Sequence, residues 1–447
     1  MEQPLNDTGN KAKQPNGIPT VSAILPDGEI VEMVYLPHEK RTAFVVWHND
    51  TWRYEASVKS PARLVPYSPD NNLVQNGVVL FPSQPQEYES EEQLISEVQD
   101  FIHRYVDVSP LFEKIASYYV LFSWVYDSFN ELPYLRVRAD YGGGKTRFLL
   151  TIGSLCYKPI FASGASTVSP LFRIIDSFRG TLIIDEGDFR LSDERAEIVK
   201  ILNNGNARGF PVLRSEVTPK REFNPTAYTV FGPKLVATRG FFQDRALESR
   251  CITEQMGLGR LREEIPINLP ASFKQEALSL RNKLLMFRFR NAGKLVPDAG
   301  LVDRSVEPRL NQVFVPLLSI IQDRKAQDDL RDLMKRLNRD LITERGFDME
   351  AQVLEVIRDI LASSDPQLSV KAITSWFADR HGDDYERKIT AKWIGNVIRK
   401  RLNLKTHKSH GVFVILDSEK PKIERLYEKY GISLKDGEEA EGEEGSS

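Results

Sequence analysis

From Ile18 to about Leu80 the apolar positions fall in short runs rich in β-branched and aromatic side chains: Val21–Leu25, Ile30–Tyr35, Thr42–His48 and Thr51–Ser57. Turn residues separate them at Pro26, Asp27 and Gly28, at Pro37 and His38, and at Asn49 and Asp50. Runs punctuated in this way predict a small antiparallel β domain over 18–80. A proline-rich linker, Val79–Glu89, follows. The spacing then becomes helical. Leu94, Val98, Phe101, Ile102 and Tyr105 share one face after a cap at Ser90, and a strongly apolar, aromatic helix covers about Pro110–Phe129. Its aromatic stripe reads as core packing under the strand that comes next.

Short apolar runs at Tyr134–Ala139, Pro159–Ala162, Gly180–Ile184 and Pro233–Thr238 predict strands. Helical patterns lie between them at Lys145–Cys156, Val168–Phe178 and Asp193–Leu202. Phe210–Val217 and Asn224–Phe231 flank a polar tip, Thr218, Pro219, Lys220 and Arg221, which is a hairpin pattern. Residues 270–345 predict helices at Phe273–Asn291, Arg309–Ile321 and Asp328–Ile342. After Met349 come helices at Met349–Leu361, Val370–Arg380 and Thr390–Leu402, then a strand at Val412–Leu416. Three helices followed by a strand pair read as a winged helix. A short helix, Pro421–Tyr430, and an acidic tail close the chain. Residues 1–17 and the tail are expected to be disordered.

The chemistry concentrates between Tyr134 and Thr146, a buried strand followed by Gly142, Gly143 and Gly144 and then by Lys145 and Thr146 opening a helix. Glycines let backbone N–H groups converge on a polyphosphate, and the helix presents the positive end of its dipole. Lys145 would reach the β- and γ-phosphates and the Thr146 hydroxyl would bind Mg2+. Arg147 is counted with the nucleotide contacts. The pattern departs at Ala139, where a glycine is usual. Forty residues after Lys145 a second apolar run ends in Asp185 and Glu186. Ligands of open α/β sheets bind at the carboxyl ends of the strands. Asp185 would hold Mg2+ through water and Glu186 would polarise the attacking water. The pair of motifs, in this order, predicts an ATP-hydrolysing domain with ATP and Mg2+ as cofactors. Thr238, at the end of another strand, is placed to hydrogen-bond the γ-phosphate or the water. Arg245 and Arg250 follow it, and an arginine there works in trans on a neighbouring subunit's phosphoryl group. The hairpin tip is either a plain surface turn or, through Lys220 and Arg221, a finger on a phosphate backbone.

Composition is ordinary for a globular chain of 447 residues: 41% hydrophobic, 28% charged, net charge −3. Basic surface must therefore be local. The clear case lies between His381 and Val412, where Arg387, Lys388, Lys392, Arg399, Lys400, Arg401, Lys405 and Lys408 face three acidic residues, a local charge of +5. It fits a recognition helix and basic wing on duplex DNA, or a protein-contact module. No apolar run is long enough for a membrane span and the first residues have no signal-peptide core, so a cytoplasmic protein without a membrane partner is expected. Cys156 and Cys251 have no metal-like spacing and are expected to be reduced and buried.

Strand, phosphate loop, Asp-Glu strand, basic hairpin, polar-ended strand and the triplet Ser249, Arg250 and Cys251, in this order, resemble the AAA+ ATPases. The triplet looks like the arginine-finger motif of clamp-loader ATPases. The hairpin is similar to that of the minichromosome-maintenance and superfamily 3 helicases, where it lines the ring channel. The stretches from Leu202 to Arg214 and from Phe231 to Gly240 are similar to helicase-like replication ATPases of plasmids, phages and mobile elements. The resemblance covers roughly Tyr134 to Ile320. It implies a hexameric ring moving on single-stranded DNA, makes Arg309 a sensor arginine, and leaves the finger open between Arg245 and Arg250. The expected architecture is a multidomain α/β chain. It comprises a disordered 1–17, a β domain at 18–80, a helical segment at 90–130, an AAA+ P-loop core at 131–265, a helical lid at 266–345, a winged helix at 346–418, and a short helix with an acidic tail at 419–447. The expected activity is a DNA-dependent ATPase and replicative-type helicase. The alternatives are an ATP-switched origin-binding initiator and a remodeller of protein complexes.

Overall fold

The structure, a computed structural model, describes residues 17–162, 168–185, 193–217, 223–242, 244–257, 259–346, 348–363, 368–382, 385, 389–409 and 411–433. Two compact units divide the chain, Met1–Arg331 and Asp332–Ser447.

The first unit begins with β1 (Ile18–Thr20), β2 (Ser22–Ile24), β3 (Ile30–Leu36), β4 (Arg41–His48), β5 (Thr51–Glu55), β6 (Val58–Ser60) and β7 (Ala62–Pro66). Strands β2 to β5 form an antiparallel meander, and β7 sits between β1 and β6 in a second small sheet. Asn49 and Asp50 both take positive φ, 47° and 58°, as a two-residue hairpin loop between twisted strands requires. The short β1, β6 and β7 carry too few apolar residues to stand out from loop sequence.

After α1 (Asn72–Gln75) come α2 (Glu91–Tyr105) and α3 (Pro110–Trp124). Each of these two longer helices starts at a serine whose side chain accepts a backbone N–H, Ser90 from Gln93 and Ser109 from Phe112. Helix α3 is buried nearly all round, and the Tyr119 hydroxyl donates to the Lys234 carbonyl beneath it at 2.8 Å.

The central elements are β8 (Tyr134–Arg138), α4 (Lys145–Gly153), β9 (Ile160–Ala162), α5 (Val168–Phe178), β10 (Leu182–Ile184), α6 (Asp193–Asn204), the hairpin β11 (Val212–Val217) and β12 (Phe223–Tyr228), β13 (Lys234–Thr238), α7 (Arg245–Glu248) and β14 (Cys251–Gln255). Five of the strands make one wholly parallel sheet in the order β14-β8-β13-β10-β9. Apolar runs in β8, β10 and β13 are covered on both faces, as parallel strands are. This is a mixed α/β chain with a parallel-sheet core. The edge strand β14 was not expected, because it mixes Thr253, Glu254 and Gln255 with only two apolar residues. Helix α4 ends at Gly153, before the expected Cys156. A Cβ on Gly153 would meet the Cδ1 end of the Ile183 side chain at 2.4 Å, so the helix lies close against β10 there.

The N-terminal meander is not separately cored. Val31, Met33, Phe44 and Val46 belong to the same apolar cluster as Ile160, Phe172, Ile184 and Val236 of the parallel sheet and its helices. A buried ion cluster joins the same parts. Arg288 of α8 (Phe273–Asn291) donates to Glu32 at 2.6 Å and to Asp127 at 2.7 Å, and Lys158 lies 3.7 Å from Glu32. Helices α9 (Pro308–Leu318) and α10 (Arg324–Gly346) follow.

The second unit contains α11 (Met349–Ala362), α12 (Val370–His381), α13 (Ala391–Asn396, continued by a π turn through Arg401), the hairpin β15 (Thr406–Ser409) and β16 (Val412–Ile415), and α14 (Lys420–Tyr430). Ile357, Ile373, Phe377, Ile394, Ile398, Ile415 and Ile423 form its core. Among the described residues no helix is long and apolar enough to cross a membrane.

Candidate nucleotide-binding site

Strand β8 ends at Arg138 and the chain turns at the fully buried Ala139. Gly142 and Gly144 have φ of 75° and 85°, the left-handed region that a side chain would strain. Gly143 is tight for another reason: a Cβ there would come within 2.6 Å of the Ala139 Cβ. The alanine that departs from the usual pattern is thus tolerated because its neighbour across the loop is glycine. Helix α4 begins at Lys145, directly after the loop. The Lys145 ammonium donates to the Ala139 carbonyl at 2.6 Å and to the Asp140 carbonyl at 2.8 Å.

Asp185 follows β10, and its Oδ2 accepts from the Thr146 hydroxyl at 2.7 Å. Two residues 39 positions apart therefore meet at the carboxyl edge of the sheet. Both offer hard oxygen donors, the chemistry Mg2+ takes. Among the described residues no group of three or more His, Cys, Asp or Glu could hold a metal unaided, so a metal here would rely on phosphate oxygens and water. Glu186, expected beside Asp185, lies outside the described residues, as do Lys220 and Arg221 of the hairpin tip and Arg387 and Lys388.

A cavity of about 530 Å3 adjoins the loop. Tyr105, Val106, Tyr141, Met256, Leu261 and Ile265 give it an apolar wall, as a site for a flat base needs. Arg147 lines it too, but its guanidinium is engaged, donating to the carbonyls of Pro266 at 2.9 Å and Ile267 at 2.6 Å. It fastens the cavity's outer loop to α4. Arg262 fastens the same loop to the end of α2 through Asp107 and the carbonyls of His103 and Val106. None of the residues 256–267 stood out in the sequence, because the wall is an irregular segment made by side chains without a motif.

Thr238 is 1% exposed and its hydroxyl donates to the Gly240 carbonyl at 2.9 Å, so it is turned inward. The next residue is the more prominent one. The Arg239 guanidinium lies 3.8 Å from the centre of the exposed Tyr141 ring in the glycine loop. Sequence reading passed over both.

Arg250 lies elsewhere. It precedes β14, whose Cys251 pairs with Tyr134, the first residue of β8, whereas the glycine loop follows the last. The two are on opposite edges of the sheet, five residues or about 16 Å apart. Arg250 is 9% exposed and donates to Asn203, which also binds Asp244. Burial and the nearby Arg309 pull its pKa below the usual arginine range. Arg309 is half-buried, and Arg245 is exposed at the start of α7. Arg250 thus lies away from the loop of its own chain, with the Arg309 charge near enough to be felt.

In the second unit Lys392, Lys400, Lys405 and Lys408 are exposed. Arg401 is exposed and pairs with Glu350 at 3.2 Å. Arg399 is half-buried, with its guanidinium 5.4 Å from the exposed Phe413 ring on β16.

No family model matches the chain, and no curated protein matches it in sequence. Solved structures do match. The apo C-terminal region of NrS-1 aligns over 86% of this chain and 96% of its own, at 12% identity and a TM-score of 0.36. The SCCmec type IV Cch helicase aligns over 91% and 80%, at 11% identity and a TM-score of 0.40. A full-length MCM homolog from Methanopyrus kandleri aligns over 70% and 78%, at 9% identity and a TM-score of 0.36.

Proposed function

We propose that the chain is an ATP-hydrolysing, ring-forming DNA motor of the replicative helicase type. The observation that carries this is the Thr146–Asp185 contact beside a left-handed glycine loop at the carboxyl edge of a parallel sheet. Those are the parts a phosphate loop needs, assembled from two distant motifs. The adjoining apolar cavity suits the base of ATP.

Phosphoryl transfer asks the protein mainly for position and charge. Backbone N–H groups of residues 142–146 cradle the phosphates. The Lys145 ammonium leaves the Ala139 and Asp140 carbonyls for the phosphates. Thr146 and Asp185 would hold Mg2+, which would supply positive charge to offset that developing on the phosphate oxygens. Glu186 orients water. Arg250, remote from the loop of its own chain, serves the site of the next subunit. Arg245, exposed at the start of α7, is the other candidate for this role. The hairpin β11–β12 carries Lys220 and Arg221 toward single-stranded DNA. The second unit serves as a winged helix, with Lys392, Arg399, Lys400, Arg401, Lys405 and Lys408 on duplex DNA.

The test is the ATPase rate with and without single-stranded DNA, with Lys145→Ala as the blank and Lys220→Ala/Arg221→Ala as the comparison. The expected result is Lys145-dependent turnover that DNA stimulates and the hairpin variant loses. Turnover indifferent to DNA would move the reading to a protein remodeller. ATP binding with no turnover above the blank would make the chain a switch.

A further inference from the structure

A second cavity, about 300 Å3, opens on the other edge of the sheet. Tyr157, Arg179 and Phe231, which line it, lie just before β9, β10 and β13, so it sits at the amino ends of the strands. The glycine loop is at their carboxyl ends. Arg208 and Thr229, also in its wall, flank the root of the β11–β12 hairpin.

Arg288 and Asp127 in its wall belong to the buried ion cluster. There the charges balance, with Arg288 and Lys158 against Glu32 and Asp127. The two outer arginines are different. Arg208 donates through Nε to the Phe129 carbonyl at 3.0 Å and through a terminal nitrogen to the Asp127 carbonyl, with its guanidinium 4.6 Å from the Phe231 ring. Arg179 donates through Nε to the Asp176 carbonyl at 3.3 Å. Neutral carbonyls orient both guanidiniums without neutralising them. Among the described residues neither has a carboxylate partner, and the one carboxylate in the wall, Asp127, is held by Arg288. Ser22 accepts from Lys158 at 2.8 Å, which leaves its proton free for the cavity. The open wall is therefore rich in donors and carries two arginines with no carboxylate at ion-pair distance among the described residues, the nearby Asp176 carboxylate accepting instead from the Thr229 backbone N–H at 2.9 Å. Such a set recognises an oxyanion, and arginine suits phosphate in particular. The cavity is several times larger than a lone phosphate and has room for a sugar or base beside it.

We propose that this cavity is a second phosphate site, which takes the phosphate of a nucleotide, free or within a single strand, on the sheet edge opposite the hydrolysis site. Arg179 and Arg208 bind the oxyanion, and the Ser22 hydroxyl completes the set.

The experiment uses the full chain with the first site saturated by Mg2+ and a non-hydrolysable ATP analogue. Labelled oligothymidylate is titrated by anisotropy at several salt concentrations, and AMP and pyrophosphate by calorimetry. Arg179→Asn keeps a residue that accepts the positive φ of 47° found there, and Arg208→Gln keeps a donor for the carbonyls. The expected result is a loss of about tenfold or more in affinity for at least one probe in each variant. For the oligonucleotide the salt slope should fall by about one per arginine removed. Loss confined to the oligonucleotide assigns the phosphate to a strand, and loss confined to AMP or pyrophosphate assigns it to a free nucleotide. Unchanged affinity for every probe in both variants, or no binding of any probe to the unaltered chain, overturns the proposal. Thermal melting checks the fold. If Arg208→Gln melts early, the exposed Arg179→Asn decides alone. The titrations need no turnover, so failure of the ATPase reading leaves this test standing.

Discussion

At Gly143 the loop has no room for a side chain, since the Ala139 Cβ stands 2.6 Å from where a Cβ would go. Gly143→Ala is expected to raise the Kd for ATP at least tenfold by pushing the loop open, and Ala139→Gly in the same chain should restore most of it. Equilibrium binding of a fluorescent ATP analogue decides; a double variant as weak as the single would mean that the clash is not what sets the loop. Lys234 gives a second prediction at this scale. It is fully buried with no carboxylate partner among the described residues, its ammonium rests on the carbonyls of Val230 and Gly232, and burial pulls its pKa from 10.5 to about 7. The unfolded chain keeps this proton up to about pH 10.5, and the folded chain releases it near pH 7. Stability from this group therefore rises with pH across that window, and the penalty is full below it. Lys234→Met loses the two hydrogen bonds, a constant offset, but should also flatten the rise between pH 7 and 10. Urea melts at several pH values read the slope, and a slope equal to that of the unaltered chain would refute the assignment.

Elements are tied together here by charge as well as by apolar packing. Glu32 on β3 accepts from Arg288 and from the Tyr157 hydroxyl, both at 2.6 Å, so one carboxylate links the N-terminal meander to α8 and to the segment before β9. Removing one member of a buried pair strands the other, at a cost of about 3–5 kcal/mol. Glu32→Gln should lower unfolding stability by that order, whereas Glu32→Gln with Arg288→Met should cost less than the sum of the two single changes. A chemical-denaturation cycle measures both. A loss below about 1 kcal/mol for Glu32→Gln would place the cluster in contact with water. The sequence marked α2, α3, the meander and the hairpin within a few residues, because capping serines, β-branched runs and helical spacing are local signals. It missed β14, β1, β6 and β7. Those strands exist because a neighbour supplies their hydrogen bonds, and nothing in their own residues demands them.

For the molecule as a whole, the consequence of the sheet is that Arg250 cannot reach the glycine loop of its own chain across about 16 Å of strand. If Arg250 acts on a neighbour, Lys145→Ala and Arg250→Ala should each be inactive alone, and a mixture should recover part of the ATPase rate. A mixture that stays at the level of the separate variants, at concentrations where the unaltered chain turns over, would rule the arrangement out. The recovered fraction as a function of mixing ratio also reports how many subunits share the work.

What the residues determined by themselves was the local chemistry: a glycine loop with Lys145 and Thr146, an apolar strand ending in Asp185, and a basic C-terminal stretch. Each is short-range, fixed by backbone freedom, side-chain type and spacing. What only the tertiary structure decided was which groups meet. It brought the Thr146 hydroxyl to Asp185, laid Arg239 over Tyr141, and turned the Thr238 hydroxyl inward. It engaged Arg147 with carbonyls, set Arg250 on the far edge, and gathered Arg179 and Arg208 around a cavity. These outcomes depend on strand order, and strand order follows from burying both faces of the sheet at once, a condition on the whole chain that no stretch of it states.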